Sequence, residues 1–318
     1  ATVFIAASET DANLYYATKF IAPDPFIYLE IKGERILVMS DLEMDRAKSQ
    51  SSVDRVLSYS EVEGRAKTQG IAEPGTVEVV HILLREAGIT QILVPANFPF
   101  GHAVKFQSLG YQLHPKRDPF YEQRVVKTAE EVRYIEAAQR ATEQAVAAAH
   151  DMLRQASINK NQLWFAGMPL TSERVKKLIN VTLMECDCVA QHTIVAAGEQ
   201  ACDPHNEGSG PLPAHRSIIF DVFPRSATNR YFADMSRTVV RGTPRPELKR
   251  LYQTVLDAQE EAITKVKDGA DGKRIHQSIC TRFEKAGYKT GLVNGRMQGY
   301  FHGTGHGVGL DIHEMPRI

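Results

Sequence analysis

The alternation of apolar and polar positions divides the chain into two kinds of segment. "PFIYLEIKGERILVMS", residues 25–40, places two apolar runs around Lys32-Gly33-Glu34, which predicts a hairpin. "GTVEVVHILLREAGI" carries Val77, Val80, Leu83 and Leu84 at helical spacing and stops at Gly88. "QILVPA" follows as a buried strand, and "AVKFQSLGY" predicts a short helix. Helices alternating with short apolar strands predict an α/β domain over residues 1–124, a small sheet covered by helices.

The pattern changes at "PKRDPFYEQRVVKTAEEV", a polar stretch with Pro115 and Pro119 that marks a domain boundary. Thr128 and Glu131 then form T-x-x-E, the capping box that opens a helix. Val132, Ile135, Ala138, Ala145, Val146, Ala149 and Leu153 line its apolar stripe. A second long helix is expected from Pro246 through Leu248, Leu251, Val255, Ala262 and Val266 to Gly269, and a third from Asp271 to Gly287. Between the first two lie the strands "HTIVAAG", "RSIIFDVF" and "YFADMSRTVV". Residues 125–318 therefore read as an α+β domain, with a mostly antiparallel sheet and long helices on one side.

Composition narrows the function. With 43% apolar and 24% charged residues the chain is globular in character. A formal net charge of zero argues against nucleic acid or an anionic membrane as partner. No apolar run approaches a membrane span, and the first residues show no signal-peptide pattern. Four cysteines do not make a disulfide framework in a chain this long. Reduced thiols and a cytoplasmic location are the expectation.

Two aspartates interrupt apolar strands: Asp221 in "SIIFDVF" and Asp234 in "YFADMSRTVV". An unpaired buried carboxylate is costly, so each needs a partner. If the strands pair symmetrically about "PRSATNR", Asp221 falls opposite Asp234, and like charges directly opposite are destabilising. A retained proton, an arginine between them, or a divalent cation would each relieve the repulsion. Capping by local N–H groups, or pairing with Arg225, Arg230 or Arg237, would serve equally at this stage.

Downstream, "YFHGTGHGVGLDIHEMP" sets His302, His306 and His313 among four glycines. On an extended strand His302 and His306 share a face but stand about 13 Å apart, so only one of them can bind a given ion directly. The alternate glycines leave the other face bare, which permits close approach to the backbone. The run satisfies neither G-x-G-x-x-G nor a P-loop, "HEMPR" is not H-E-x-x-H, and "EGSGP" is not G-x-S-x-G. Three histidines in one loop, after two strand-borne aspartates, favour a metal site.

"IIFDVFPRSATNRYFADMSRTVV" followed by "FHGTGHGVGLDIHEMP" resembles the pita-bread metallopeptidases, which include aminopeptidase P, prolidase, methionine aminopeptidase and the metal-free creatinase. The resemblance is specific over residues 128–318. Residues 1–125 resemble more loosely the N-terminal domain of creatinase, prolidase and aminopeptidase P, which favours the Xaa-Pro branch. It implies a creatinase-like α/β domain, 1–124, and a pita-bread catalytic domain, 125–318, with a curved antiparallel sheet. Asp221 matches the chelating aspartate, Asp234 the aspartate that bridges two metals, and His306 the histidine ligand. His205, in "CDPHNEG", matches a histidine that contacts substrate or its tetrahedral intermediate. His302 and His313 match the two that flank the ligand and handle substrate and protons.

The resemblance further implies two divalent cations, manganese first and cobalt or zinc next. It also implies a proline-containing peptide substrate, release of the residue before proline, and a homodimer. Two glutamate ligands are expected on strands beyond Ile318, where this sequence stops, so the C-terminal part of the catalytic domain is expected to be missing. Two other functions compete: a creatinase-like hydrolase without metal, and an inactive peptide- or protein-binding module on the same fold. Both predict eroded ligands.

Overall fold

A computed structural model describes residues 1–318. The chain divides into two compact units, Ala1–Glu122 and Gln123–Ile318.

In the first unit six strands form one mixed sheet. They are β1 (Thr2–Ala6), β2 (Phe26–Ile31), β3 (Glu34–Met39), β4 (Arg55–Ser58), β5 (Gln91–Pro95) and β6 (Gln112–Lys116), in the order β4-β3-β2-β1-β5-β6. The β2–β3 hairpin turns where the sequence predicts: Ile31 pairs with Glu34, and Lys32 and Gly33 both take positive φ, as a two-residue turn requires. The strands bury both faces. Val3, Ile5, Ile27, Leu29, Ile36 and Val38 pack with Val80, Leu83 and Phe106 on one side. Phe4, Tyr28, Leu37 and Met39 pack with Leu14, Phe20 and Phe120 on the other. Period-two alternation of apolar residues on both faces is what a sheet between two helical layers needs. The helices are α1 (Ala12–Thr18), α2 (Met44–Gln50), α3 (Tyr59–Thr68), α4 (Thr76–Glu86) and α5 (Phe100–Ser108).

The second unit opens with α6 (Ala129–Gln155), capped as the T-x-x-E signal predicts. Glu131 N donates to Thr128 Oγ1 at 3.2 Å, and Thr128 N donates to Glu131 Oε2 at 2.8 Å. Ala138, Ala145, Ala149 and Leu153 form its buried stripe, against Val175, Ile179 and Leu183 of α7 (Ser172–Glu185). Val132, expected on that stripe, is exposed.

All strand pairs in this unit are antiparallel, but they do not join into the single curved sheet expected. They form small separate sheets: β7 (Ser157–Asn159), β8 (Gln162–Phe165) and β9 (Met168–Pro169); β10 (Cys188–Val189) with β13 (Arg225–Ser226); and β11 (Ile194–Ala197), β12 (Ile218–Val222) and β14 (Met235–Val239). Proline is one cause: Pro211 and Pro213 sit at isolated bridges to Thr171 and Gln162 and have no N–H to extend a ladder.

Two helices follow, α8 (Pro246–Lys265) and α9 (Gly272–Lys285), the latter capped by Asp271. Ala258 and Ala262 of α8 pack on Ile275, Ile279 and Phe283 of α9. Leu251, Val255 and Val266 were expected on a buried stripe and are exposed instead. Periodicity marks an apolar face but not what covers it, and only the alanine side of α8 meets α9. The hairpin β15 (Gly291–Val293) and β16 (Arg296–Gln298) precedes β17 (His306–Gly307) and β18 (Glu314–Arg317), which pair through a bulge. No helix is long and apolar enough to cross a membrane. All four cysteines are free.

Candidate active site

The β12–β14 hairpin carries the first two candidates. Ile218, Phe220 and Val222 of β12 point into the core, so Asp221 points to the opposite, open face. The register differs from the symmetric pairing expected from sequence. Asp221 lies opposite Ser236, not Asp234, and Val222 lies opposite Met235. The turn sets this offset. Ser226 N donates to Tyr231 O, Arg230 N donates to Ser226 O, and Arg230 takes a positive φ, so the reversal is made by residues 227–230. The slip is two residues. Because side chains alternate with period two, it keeps both aspartates on one face and makes them diagonal neighbours. Ser236 Oγ donates to Asp221 Oδ1 at 2.7 Å.

The glycine-rich run meets this face. Phe232 N donates to Gly309 O at 2.8 Å, which ties the hairpin to the run two residues before Asp234. His306 Nδ1 lies 3.0 Å from Gly307 O. A carbonyl only accepts, so Nδ1 carries a proton, and Nε2 is the ring nitrogen turned toward the aspartate. That Nε2 stands 3.4 Å from Asp234 Oδ2. Burial, then the Asp221 charge, pushes the Asp234 carboxyl up to about 6, with His306 pulling the other way. A proton on either group, or a cation between them, makes this approach favourable.

His313 completes the group. Its ring packs edge-on against His306, centroids 4.5 Å apart. Burial lowers its pKa, and His306, Arg317 and His205 lower it further against the pull of Asp221. His205 lies in an exposed loop where its backbone N–H donates to Asp203 Oδ1, and its charge is felt at His313. His302 is placed differently. Its Nδ1 donates to Gly303 O at 2.8 Å, and its ring meets Tyr300 and Phe301. It lines a cavity of about 420 Å³ with Lys273, His276, Tyr300 and Arg317. The structure brings Asp221, Asp234, His306 and His313 together, with His205 within electrostatic reach, and sets His302 among aromatics.

The glycines have two separate uses. A Cβ on Gly307 would lie 2.5 Å from Met315 O, and one on Gly309 would lie 2.5 Å from Glu314 Oε2. At Gly307 the neighbour is backbone, so a side chain there would push the returning strand away; at Gly309 it is the Glu314 carboxylate, which a side chain would have to displace. Glu314 is itself a site feature that the sequence did not reveal. It is buried and takes hydrogen bonds from Arg124, Lys127 and the Asp311 N–H.

The donor set suits a hard or borderline divalent cation: two carboxylates and an imidazole whose Nε2 faces one of them. It is a partial set. No group of three or more His, Cys, Asp or Glu side chains stands in closed metal-holding geometry.

The profile of metallopeptidase family M24 matches residues 133–318. A Xaa-Pro dipeptidase of Pyrococcus furiosus is 28% identical over 196 residues, which span 61% of this chain and 50% of that protein. A Xaa-Pro dipeptidase of Pyrococcus horikoshii is 24% identical over 96% of this chain and 77% of its own length. Among solved structures, the prolidase of Pyrococcus furiosus superposes with a TM-score of 0.76 at 22% identity, over 99% of this chain and 82% of that one. An X-Pro aminopeptidase from Thermotoga maritima gives 0.77 at 21% identity, over 99% and 81%. These likenesses establish the fold of the Xaa-Pro peptidases, and the matched profile extends over more than half of the sequence. The chain belongs to metallopeptidase family M24.

Proposed function

We propose that the protein hydrolyses Xaa-Pro peptide bonds with two divalent cations, manganese first among them, and that Asp221, Asp234 and His306 hold the metal. The carrying observation is the approach of His306 Nε2 to Asp234 Oδ2, 3.4 Å, on the face that Asp221 shares, with Nδ1 turned to Gly307 O. Residues 1–124 would form the creatinase-like domain of such an enzyme and residues 125–318 would belong to its catalytic domain.

In this reading Asp221 and Asp234 contribute carboxylate oxygens, and Ser236 orients Asp221 through its hydroxyl. His306 contributes Nε2, with its tautomer fixed by Gly307 O. Bound cations would supply Lewis acidity and a water acidic enough to act as hydroxide near neutral pH. His313, whose imidazole is disposed to be neutral, can accept or donate a proton beside the scissile bond. His205, on the exposed loop, would reach the substrate or the developing oxyanion. His302 and the rings of Tyr300 and Phe301 offer an apolar wall for a proline side chain. A metal-free hydrolase and an inactive binding module both predict loss of the ligands, and the sequence retains Asp221, Asp234 and His306.

The test is hydrolysis of Ala-Pro and of a longer Xaa-Pro peptide by full-length protein with Mn²⁺. Cleavage of either is expected, and Asp234→Asn should lower it by at least about tenfold. Unimpaired cleavage by that variant would remove the assignment.

A further inference from the structure

The stretch before α6 reads in the sequence as a polar boundary, yet it supplies the most buried ionic cluster of the second unit. Arg124 is 6% exposed and Glu314 8%. Arg124 Nη2 donates to Glu314 Oε1 and, at 2.7 Å, to Asp311 Oδ2. Lys127 Nζ donates to Glu314 Oε2 at 2.6 Å, and Asp311 N donates to Glu314 Oε1 at 3.1 Å. Two cations meet two carboxylates, so the cluster is neutral, and each Glu314 oxygen has a charged donor. Such a fixed cluster is costly to build, and its best-attested benefit is a single defined geometry.

What that geometry fixes is the site. Asp311 and Glu314 bracket His313 in sequence. The Glu314 carboxylate occupies the space over Gly309 that a Cβ would fill. Gly309 in turn holds Phe232, two residues from Asp234. We propose that Arg124 and Lys127 are positioning residues: by gripping Glu314 together they set His313 against His306 and seat the glycine-rich run on the aspartate hairpin. This rests on the peptidase reading for its catalytic consequence, but not for the positioning itself.

Two readouts separate these. The first is ethoxycarbonylation of individual histidines by diethylpyrocarbonate, followed by mass spectrometry in the full-length protein without metal. Arg124→Met should speed modification of His313 at least about threefold, and Glu314→Gln should do the same, while His102 in the first unit is unchanged. Arg124→Lys, which keeps the charge, should bring His313 most of the way back to its native reactivity. The second is Xaa-Pro turnover with Mn²⁺. Arg124→Met should lower kcat about tenfold or more and move KM less than threefold. If the native protein cleaves no Xaa-Pro peptide, the peptidase reading fails and histidine reactivity alone judges the clamp. If His313 reactivity in both Arg124→Met and Glu314→Gln equals that of the native protein, the clamp is refuted whatever the turnover. Should Arg124→Met not fold, Glu314→Gln, of equal size, carries the same comparison.

Discussion

Across the β12–β14 ladder the residue facing Asp221 is Ser236, and Asp234 lies two residues along on the same face. The Ser236 hydroxyl satisfies one oxygen of Asp221, while Asp234 is left with the repulsion of Asp221 and the partial relief of His306. The strain of an uncompensated pair of carboxylates therefore falls on Asp234.

That strain has a sign that can be measured without metal. The folded chain holds the Asp234 carboxyl at about 6, above its unfolded value, so folding favours the protonated form. The stability this lends is complete below about pH 4 and is lost as pH rises through 6. The loss is at most about 3 kcal/mol, and less for a side chain that water partly reaches. In chelator, urea denaturation should show Asp234→Asn gaining on the native chain between pH 4 and 7. A difference that is flat with pH would contradict the pairing of Asp234 with Asp221.

Gly309 and Gly305 differ in what surrounds them, although the sequence presents them as equals. A Cβ at Gly305 would find its nearest neighbour, Ile318 Cδ1, 3.9 Å away, whereas at Gly309 it meets the clamped Glu314 carboxylate. Gly309→Ala should cost about 1–3 kcal/mol by thermal denaturation. Gly305→Ala should stay within about 0.5 kcal/mol.

Tyr231, at the foot of the hairpin turn, donates its hydroxyl to Glu131 Oε1 at 2.6 Å, and Glu131 Oε2 caps α6. One carboxylate thus joins the helix start to the aspartate hairpin. Tyr231→Phe should cost about 1–3 kcal/mol in chemical denaturation, because a buried carboxylate oxygen loses a donor. No change would mean that the hydroxyl bond carries no net stability.

Local signals in the sequence were legible where the chain solves a local problem. The Lys32-Gly33 turn and the Thr128–Glu131 capping box each involve residues within four positions, and each is found as read. The histidine loop was legible as a place of close approach, because Gly307 and Gly309 lie where a Cβ would meet the returning chain. The register of the aspartate hairpin was not, since it depends on which four residues make the turn. Arg124 and Lys127 were read as boundary polarity because their partners lie 187 to 190 residues away. The exposed side of α8 was misread for a related reason: apolar spacing marks a face and names no partner.

Metal affinity tests the central claim most directly. Isothermal titration of full-length, chelator-treated protein with Mn²⁺ at pH 7 should show binding that Asp234→Asn and His306→Ala each weaken by roughly tenfold or more. Below pH 6 the native protein should release a proton as the metal displaces it from Asp234. Mn²⁺ binding of equal strength in all three proteins would contradict a cation site shared by Asp234 and His306.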